Sequence, residues 1–373
     1  KMCMFLVPKN FGIAGKRGIM KVKKYELVRI IDKLKSVVQK NTVHPALGGV
    51  LVKEGYLIAA NGEITIQVKC EDAEGESFII PMKAFDLIKN LPEGDVELLH
   101  DDKNVVTIKM EKIKNSYQSF PAENFIYSKT DMESGEELTL PGKSFMEAIS
   151  HVIYAAAEKE PSKPMLEGIY LEGCDGYINL VATDGHVLAW DRIKADGIAD
   201  LKIIVPKAAA KKLLSMGMDD DVNVSYSANS AIFRTDGYVI YTRLLEGKYL
   251  PYKQMFCESD NYTIVGKSDL VGAMTRAKMC TDEKSPAVFD ISENEITVSI
   301  RDNIANYQEK VALQEKIKDP IKIGFDSRLV LETIKAFTCD NITLNLTRPV
   351  NPMVVEAEDS DMKALVLPVR LKE

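Results

Sequence analysis

The sequence predicts an α+β protein in which one structural unit occurs three times along the chain. Three observations support this prediction. The chain has 373 residues, more than the roughly 100–200 residues of an ordinary domain. A strand that leads into a helix recurs about every 120 residues, as expected of an internal repeat. Each of these intervals also contains a second strand that leads into a helix.

Polar stretches near Glu136 and Asp260 separate the repeats, and such stretches often mark domain boundaries. We therefore predict three domains, at residues 20–136, 137–260 and 261–373. Residues 1–19 lack the repeat pattern, which begins at Met20, and their short apolar run lacks the flanks of a secretory signal. We interpret residues 1–19 as an N-terminal extension or an expression remnant.

The first helix of each repeat follows a short β-rich run. These openings lie at Lys21–Leu27, Leu138–Phe145 and Tyr262–Leu270. In the first repeat, apolar residues then recur at the spacing of one helix face, at Leu27, Ile30, Ile31, Leu34, Val37 and Val38. The second repeat shows the same spacing at Phe145, Ile149, Val152 and Ile153.

A second strand-to-helix opening lies inside each repeat. These runs are Phe78–Lys83, Ile203–Lys207 and Ile321–Ser327. Short alternating segments such as Ile296–Ile300 and Ala231–Phe233 predict further strands. Each repeat therefore contains two helices and two sets of strands, and the helices can gather on one face of antiparallel sheets.

Composition excludes several classes of protein. Apolar residues make up 46% and charged residues 28% of the chain, as in globular proteins, and no run approaches the ~20 apolar residues that span a bilayer. The six cysteines are scattered without a C-x-x-C pair, which argues against zinc and is typical of reduced thiols. We expect a cytoplasmic protein with no membrane association, no metal and no cofactor.

The motifs that resemble catalytic sites are incomplete. Gly142-Lys143-Ser144 and Gly266-Lys267-Ser268 match the end of a P-loop, but its earlier glycine is replaced by Glu137 and Asn261. We interpret both triplets as helix caps. Thr183-Asp184-Gly185-His186 has the composition of a turn. We expect no catalytic residue, although an enzyme acting on nucleic acid remains an alternative.

Charge is distributed unevenly along the chain. The net charge of −7 argues against nucleic-acid binding unless the basic residues are gathered on one surface. The six predicted helical windows carry 16 basic and 7 acidic residues, 16 − 7 = +9, so the remaining chain carries −7 − 9 = −16. From charge alone, solvated helix faces are the simpler explanation of this excess, but the threefold repeat shifts the balance, because repeated helices on one side of an arc add their charges there.

Four segments resemble the bacterial DNA polymerase III beta subunit family, the sliding clamps. Val181–Ala189 resembles the family segment A-T-D-G-H-R-L-A, and Arg243–Tyr249 resembles R-L-I-[DE]-G-x-[FY]. Leu365–Leu371 resembles the family's C-terminal segment, and Phe120–Phe125 resembles the close of its first domain. The resemblance extends in order from about Met20 to Leu371.

The resemblance implies a ring-shaped head-to-tail homodimer of three clamp domains per chain, with helices lining a channel and antiparallel sheets outside. It implies a non-catalytic DNA sliding clamp, the polymerase processivity factor. The implied partners are double-stranded DNA bound without sequence preference, the polymerase III catalytic subunit, the clamp loader, and repair and replication proteins that carry a clamp-binding motif. A clamp-like scaffold from a phage or mobile element remains an alternative.

The resemblance also implies three sets of site residues. The partner-peptide cleft between domains 2 and 3 comprises Leu166, Thr183, Gly185, His186, Leu188, Leu250, Met255, Val350, Pro352, Val366, Leu367, Pro368, Val369, Arg370 and Leu371. The DNA-binding residues are Lys40, Lys163, Lys207, Lys211 and Lys212. The dimer-interface residues are Tyr117, Lys278 and Met279. Val187 stands where the family usually has Arg, Leu250 where it has Pro, and Gln254 where it often has Arg, so the peptide preference is expected to differ.

Overall fold

The computed structural model describes residues 18–40, 43–128, 135–195, 201–218, 220–257, 259–280, 285–301 and 305–371. Residues 1–17 of the predicted extension lie outside the described residues, whereas Gly18 and Ile19 belong to the first strand. The helices are α1 (Lys24–Leu34), α2 (Phe85–Asn90), α3 (Gly142–Val152), α4 (Lys207–Met216), α5 (Lys267–Cys280) and α6 (Ser327–Ala336). The two helices predicted for each repeat are thus confirmed.

The strands alternate with these helices in the predicted order. The first repeat contains β1 (Gly18–Lys23), β2 (Gly49–Lys53), β3 (Tyr56–Ala60), β4 (Ile64–Lys69), β5 (Phe78–Pro81), β6 (Asp95–His100), β7 (Val105–Met110) and β8 (Ile113–Gln118). The second contains β9 (Glu136–Leu140), β10 (Gly168–Cys174), β11 (Tyr177–Thr183), β12 (Val187–Lys194), β13 (Lys202–Pro206), β14 (Val222–Tyr226), β15 (Ser230–Arg234) and β16 (Tyr238–Arg243). The third contains β17 (Tyr262–Gly266), β18 (Pro286–Ile291), β19 (Glu295–Arg301), β20 (Asn306–Ala312), β21 (Ile321–Asp326), β22 (Asn341–Asn345), β23 (Met353–Glu356), β24 (Lys363–Val366) and β25 (Pro368–Val369).

The chain forms two compact units. The first contains the described residues up to 128 together with Ile232–Tyr241, and the second contains the other described residues. The second unit therefore holds most of the second repeat and the whole described third repeat. The predicted domain boundaries after residues 136 and 260 stay predictions.

In the first unit, each half of the repeat completes the sheet of the other half. Strand β1 leads into α1, yet it pairs antiparallel with β6, which follows α2. Strand β5 leads into α2, yet it pairs with β2, which follows α1. The resulting orders are β1-β6-β7-β8 and, as part of a longer sheet, β5-β2-β3-β4. Because the first strand of each half pairs with a strand of the other half, neither half completes its sheet alone.

The second unit follows the same rule. Strand β13 pairs with β10, β17 with β22, and β21 with β18, each time with a strand of the other half of its repeat. Strand β9 pairs with β14 in the same manner. This recurring exchange confirms that the α+β unit predicted from the sequence is repeated.

The helices of each repeat pack against each other over the buried faces that the sequence predicts. Helix α1 contacts α2, α3 contacts α4, and α5 contacts α6. The predicted face of the first helix is buried at all six positions, with exposures between 0% and 7%. The helix itself ends at Leu34, so Val37 and Val38 are buried in the turn that follows.

The interpretation of Gly142–Ser144 as a helix cap is wrong. The residue before α3 is Pro141, which makes no side-chain hydrogen bond, and Gly142 already belongs to the helix. A Cβ atom at Gly142 would lie 1.9 Å from the backbone oxygen of Asp220 and 2.6 Å from that of Met218. The glycine therefore allows a close approach of two backbone segments.

The second and third repeats share one sheet. Strand β12 pairs antiparallel with β24, which gives the eight-stranded order β13-β10-β11-β12-β24-β23-β22-β17. After Val366 the chain leaves this sheet, and Pro368–Val369 pairs with β21 in the five-stranded sheet β20-β19-β18-β21-β25. The last described residues therefore connect both sheets of the third repeat. Among the described helices, none is long and apolar enough to cross a membrane.

Replacing Gly168 by alanine should destabilise the second unit. The added Cβ would lie 2.7 Å from the backbone oxygen of Val205 and 2.8 Å from Cγ2 of Ile204, so the β10–β13 pair must move apart. We expect a loss of about 1–3 kcal/mol, the usual cost of overpacking. The measurement is the midpoint of urea unfolding followed by circular dichroism. Gly62→Ala is the control, because nothing lies within 4 Å of its added Cβ. Equal midpoints for both variants would contradict the assigned strand register.

Candidate functional site

Several residues of the predicted cleft lie at one end of the eight-stranded sheet. At this end β12 begins, β24 ends and β23 begins. The N–H of Leu367, just after β24, donates to the carbonyl of His186, just before β12, at 2.8 Å. On the other side of β24, Val366 lies opposite Met353, so Pro352 is also at this end. Strand β12 and the pair β23 and β24, which are distant from β12 in sequence, thus bring the turn 183–186, the C-terminal segment and the connection before β23 together.

The turn between β11 and β12 is held by its own polar side chains. The carboxylate of Asp184 accepts hydrogen bonds from the backbone N–H groups of His186 and Val187, at 2.8 and 3.0 Å. The hydroxyl of Thr183 donates to the carbonyl of Val187 at 2.6 Å and accepts from the N–H of Gly185 at 3.0 Å. Gly185 has φ +92°, a conformation that favours glycine. The prediction of a turn at Thr183–His186 is confirmed.

Four large apolar side chains are exposed among the cleft residues. The exposed fractions are 40% for Met255, 76% for Val350, 37% for Leu367 and 36% for Val369. We call these four residues the apolar patch. Leu367 and Val369 lie within three residues of the end of β24, and exposed apolar side chains that are close together are typical of an interaction site.

Other residues of the predicted cleft are buried and support the patch. Leu166, Thr183, Leu188 and Val366 are at most 4% exposed. Leu188 lies opposite Leu365 and packs in a cluster with Tyr249 and Val354. The side chain of Leu371 lies over Gly324, where an added Cβ would be 2.5 Å from Leu371 Cδ2. The predicted cleft thus combines an exposed surface with the core that shapes it.

An aromatic cluster that the sequence analysis missed fixes the segment carrying Leu250 and Met255. The rings of Tyr170 and Tyr249 stack with centroids 4.7 Å apart. The ring of Trp190 packs against Tyr252 and Phe256, at 5.4 and 5.6 Å. These contacts join the segment 249–256 to strands β10 and β12. Aromatic spacing gave no sign of them, because the partners are about 60–80 residues apart in sequence, beyond any local period.

A groove of about 690 Å³ lies beside this segment, with Glu172 in its lining. Glu172 accepts a hydrogen bond from Tyr252 Oη at 2.8 Å and forms an ion pair with Lys253 at 3.3 Å. Burial, and then the charge of Glu172, raises the pKa of Tyr170 to about 12. Of the predicted cleft residues, only Leu250 lines this groove. The groove therefore adjoins the predicted cleft and does not coincide with it.

The predicted DNA-binding lysines differ in their surroundings. Lys40, Lys163 and Lys211 are exposed, and Lys212 is half-buried, which lowers its pKa. Lys207 is only 9% exposed, and its ammonium donates to the carbonyl of Ala156 at 2.5 Å. In the first unit, Lys83 lines the same groove as Lys40, although the sequence analysis did not name it.

Glu158 links two of these lysines. Its Oε1 lies 2.8 Å from Lys207 Nζ and 3.3 Å from Lys211 Nζ. The hydrogen bond from Lys207 holds the pKa of Glu158 below its usual value, with a smaller effect from Lys211. Across the described chain, the six helices carry 13 basic and 6 acidic residues, 13 − 6 = +7, so the basic excess of the helices is present in the folded protein.

The predicted dimer residues lie on or next to sheet edges. Tyr117 is on β8, an outer strand of the four-stranded sheet of the first unit. Met279, which is 79% exposed, and Lys278 lie in the last turn of α5. Helix α5 packs against β20, an outer strand of the five-stranded sheet of the second unit. Each unit therefore carries one of the two proposed contact regions.

Within the residues that the structure describes, no three His, Cys, Asp or Glu side chains are grouped as metal ligands. The buried pair of His151 and Asp191, with Nδ1 and Oδ2 2.7 Å apart, joins α3 to β12 in the core. Both residues are less than 10% exposed. The pair has the position of a structural hydrogen bond.

Two family descriptions match the second and third repeats. "DNA polymerase III beta subunit, central domain" matches residues 139–251, and "DNA polymerase III beta subunit, C-terminal domain" matches residues 255–370. A protein of Staphylococcus epidermidis called beta sliding clamp is 24% identical over 371 residues, which cover 93% of this chain and 97% of that relative. The beta sliding clamp of Escherichia coli is 24% identical over 341 residues, which cover 88% and 93%.

Solved structures share the fold at similar identity. The sliding clamp of Bartonella birtlesii bound to griselimycin has a TM-score of 0.87 and 21% identity, covering 95% of this chain and 100% of its own. The DNA polymerase beta subunit of Streptococcus pyogenes has a TM-score of 0.86 and 20% identity, with the same coverage. The fold is therefore that of these proteins across nearly the whole chain.

The depressed pKa of Glu158 provides a test of its contacts with the lysines. Its folded pKa lies below the unfolded value, so its stabilising effect is present above the unfolded pKa and is lost as pH falls through the folded pKa. The side chain is 75% exposed, so this effect is small and weakened by salt. We expect Lys207→Gln to raise the pKa of Glu158 toward its ordinary value, measured by NMR titration of the side-chain carboxyl carbon. Lys202→Gln, an exposed change on β13, should leave it unchanged. An unaltered titration in the Lys207 variant would disprove the contact.

Proposed function

Because the chain belongs to the DNA polymerase III beta subunit family, the bacterial sliding clamps, we propose that it encircles duplex DNA and tethers a DNA polymerase to it. The observation that carries this proposal is the match of two successive clamp domains, at 139–251 and 255–370, on a fold built from one repeated unit. The family is a processivity factor and performs no chemistry of its own. Its function therefore depends on topology, charge and a docking surface.

Basic helices and an otherwise acidic chain suit a protein that slides on DNA. Phosphate contacts hold a duplex without reading its bases, so they allow movement along any sequence. We assign this role to Lys40, Lys163, Lys207, Lys211 and Lys212. Lys207 and Lys211 share Glu158, so part of their charge is already neutralised. Acidic outer surfaces would keep the duplex away from the other side of the protein.

We propose that two chains assemble head to tail into a ring through the edges of the first and third repeats. Strands β8 and β20 lie at sheet edges, where unpaired backbone groups accept a further strand. Tyr117 on β8 of one chain would meet Lys278 and Met279, on the helix that packs on β20, of the other. Such a contact joins two different surfaces, and it forms a ring when its rotation closes.

The apolar patch and its supporting residues are proposed as the partner-peptide cleft. A short extended peptide with Leu and Phe anchors suits a surface of this kind, because apolar side chains supply most of the binding free energy. A polymerase tethered in this way rebinds its primer end at high effective concentration. The clamp loader and other replication and repair proteins would use the same cleft in turn. We place these encounters in the cytoplasm.

The topological claim has a direct test. The protein, loaded on nicked circular DNA, should remain bound during gel filtration and should be released when the circle is cut once. Binding to short linear duplexes should weaken with salt, and Lys40→Gln or Lys163→Gln, each at an exposed lysine, should reduce the slope of log K against log salt by about 0.9. Equal retention on circular and linear DNA, or a preference for one DNA sequence, would contradict encirclement.

The cleft is tested with a fluorescent peptide of the Gln-Leu-x-Leu-Phe type. Leu188→Ala and Pro368→Ala should each weaken binding by about 1–3 kcal/mol, because both remove apolar support of the cleft. Deletion of the residues after Val366 should abolish binding, since it removes Leu367, Val369 and the β21 pairing. Met20→Ala, a buried change in the first unit, controls for general destabilisation. Unchanged affinity in all cleft variants would locate the peptide site elsewhere.

A further inference from the structure

The exposed face of the sheet β1-β6-β7-β8 in the first unit carries two lysines side by side. Lys109 on β7 lies directly opposite Lys114 on β8. Residues of β7 that point to the other face, such as Val106 and Ile108, are 0% exposed, so the lysines lie on the face turned away from the core. Like charges directly opposite each other destabilise a pair of strands. The first unit therefore contains a local repulsion, which a bound anion would offset.

Neither lysine is neutralised within the part of the chain that the structure describes. Lys109 and Lys114 form no ion pair there, although Glu97 lies opposite Lys109 in register. Another lysine of the same sheet is matched differently, because Lys23 contacts Asp95 at 2.5 Å. The ammonium groups of Lys109 and Lys114 are thus available to a ligand that carries negative charge.

A cavity of about 250 Å³ is lined by both lysines and by Thr107 and Ser116, the next pair along the same face. This volume is well above the roughly 10–15 Å³ that one water molecule needs, so the cavity has room for a polyatomic anion. The hydroxyl oxygens of Thr107 and Ser116 are 2.8 Å apart and share one hydrogen bond. Only one hydroxyl hydrogen is used in this bond, so the other can be donated to a ligand. The cavity therefore offers two cations and a neutral donor.

Asp101 determines which end of the cavity suits an anion. Its carboxylate accepts hydrogen bonds from the backbone N–H groups of Lys103 and Val105, at 3.0 and 2.9 Å. These bonds, chiefly the one from Val105, hold the pKa of Asp101 below its usual value and keep the carboxylate charged. Val105 is four residues before Lys109, or about 13 Å along the strand. An anion is therefore repelled at the Asp101 end and attracted at the lysine end.

We propose that Lys109 and Lys114, with the hydroxyl pair of Thr107 and Ser116, bind a phosphate group. A phosphate group carries a charge of about −1.5 to −2 at neutral pH and several acceptor oxygens, so it can contact both ammonium groups and the free hydroxyl at once. A carboxylate carries a single charge and would leave one lysine uncompensated. Inorganic phosphate, pyrophosphate and a nucleoside monophosphate share this chemistry. The site differs from the one assigned to duplex DNA, because Lys40 lines another groove of the unit.

The proposed contact between two chains does not supply this anion. On β20, Glu309 pairs with Arg276 and accepts a hydrogen bond from Tyr307. On the neighbouring strand β19, Glu295 lies 2.5 Å from Lys310. These carboxylates are already neutralised within their own chain. A small anion therefore suits the two lysines better than the β20 edge of a second copy does.

Equilibrium dialysis of the full chain with radiolabelled inorganic phosphate tests the site, at an ionic strength held constant with chloride. We expect saturable binding of one phosphate per chain. Lys109→Gln and Lys114→Gln should each weaken it roughly twofold to fivefold, because exposed ion pairs contribute modestly. Lys112→Gln should leave it unchanged, since this exposed lysine in the turn between β7 and β8 does not line the cavity. Unlabelled pyrophosphate and adenosine monophosphate then compete, and the form effective at the lowest concentration is the one that the site takes.

Thermal unfolding gives a second readout. Without phosphate, Lys114→Gln should unfold at a higher midpoint than Lys112→Gln, because it removes the repulsion from Lys109. Added phosphate should raise the midpoint of the wild type and of the Lys112 variant more than that of the Lys114 variant.

Three results would overturn the assignment. Equal phosphate binding in the wild type and in the Lys109 and Lys114 variants would mean an adventitious ion only. Equal competition by acetate would contradict a site for phosphate. A shift of Lys114→Gln to single chains, with phosphate binding unchanged, would assign the lysines to the contact between chains.

Discussion

The candidate site depends on the pairing of β24 with β12. This pairing joins strands that are more than 170 residues apart in the sequence, and it places Leu365 against Leu188 in the core. It also aligns the ends of β12, β24 and β23, so that the turn 183–186 meets Leu367. The chain then continues to β21, where Leu371 covers Gly324. A short C-terminal segment thus supplies buried side chains beneath the site and also part of its exposed surface.

The exchange of strands between the halves of each repeat explains why such a site can be firmly positioned. Since β13 and β17 each pair with a strand from the other half of their repeat, local opening of one half disturbs both. The aromatic contacts of Trp190 and Tyr249 then attach the segment 249–256 to this framework. Exposed apolar side chains on a rigid support lose little conformational entropy on binding, which favours a short peptide as ligand.

Charge is distributed unevenly between the helices and the rest of the chain. The helices carry a net charge of +7 within a chain of net charge −7. The positive charge is therefore concentrated in the helices and not in one domain. Glu158 reduces the positive charge of the basic helix surface, because its exposed carboxylate contacts both Lys207 and Lys211. A weaker hold on phosphate suits movement along DNA, since each strong contact must break before the protein advances.

Much of the architecture could be predicted from the sequence, because helix periodicity and β-rich runs are local signals. The buried face from Leu27 to Val38 and the turn at Thr183–His186 follow from such signals. The strand exchange, the crossing of the C-terminal segment and the buried ammonium of Lys207 depend on residues far apart in sequence, which no local period reveals. The prediction of a helix cap at Gly142–Ser144 is wrong for the same reason, since the glycine allows the backbone oxygens of Met218 and Asp220 to approach closely.

Encirclement of DNA requires a closed ring of two chains, and electron microscopy of particles of known mass tests this ring most directly. We expect particles of twice the 41.5 kDa chain mass, whose class averages show a ring with a central opening wide enough for duplex DNA. Met279→Glu, at the exposed end of α5, should shift the particles toward single chains. Particles of one chain mass at micromolar concentration, open filaments, or compact dimers without an opening would contradict the account.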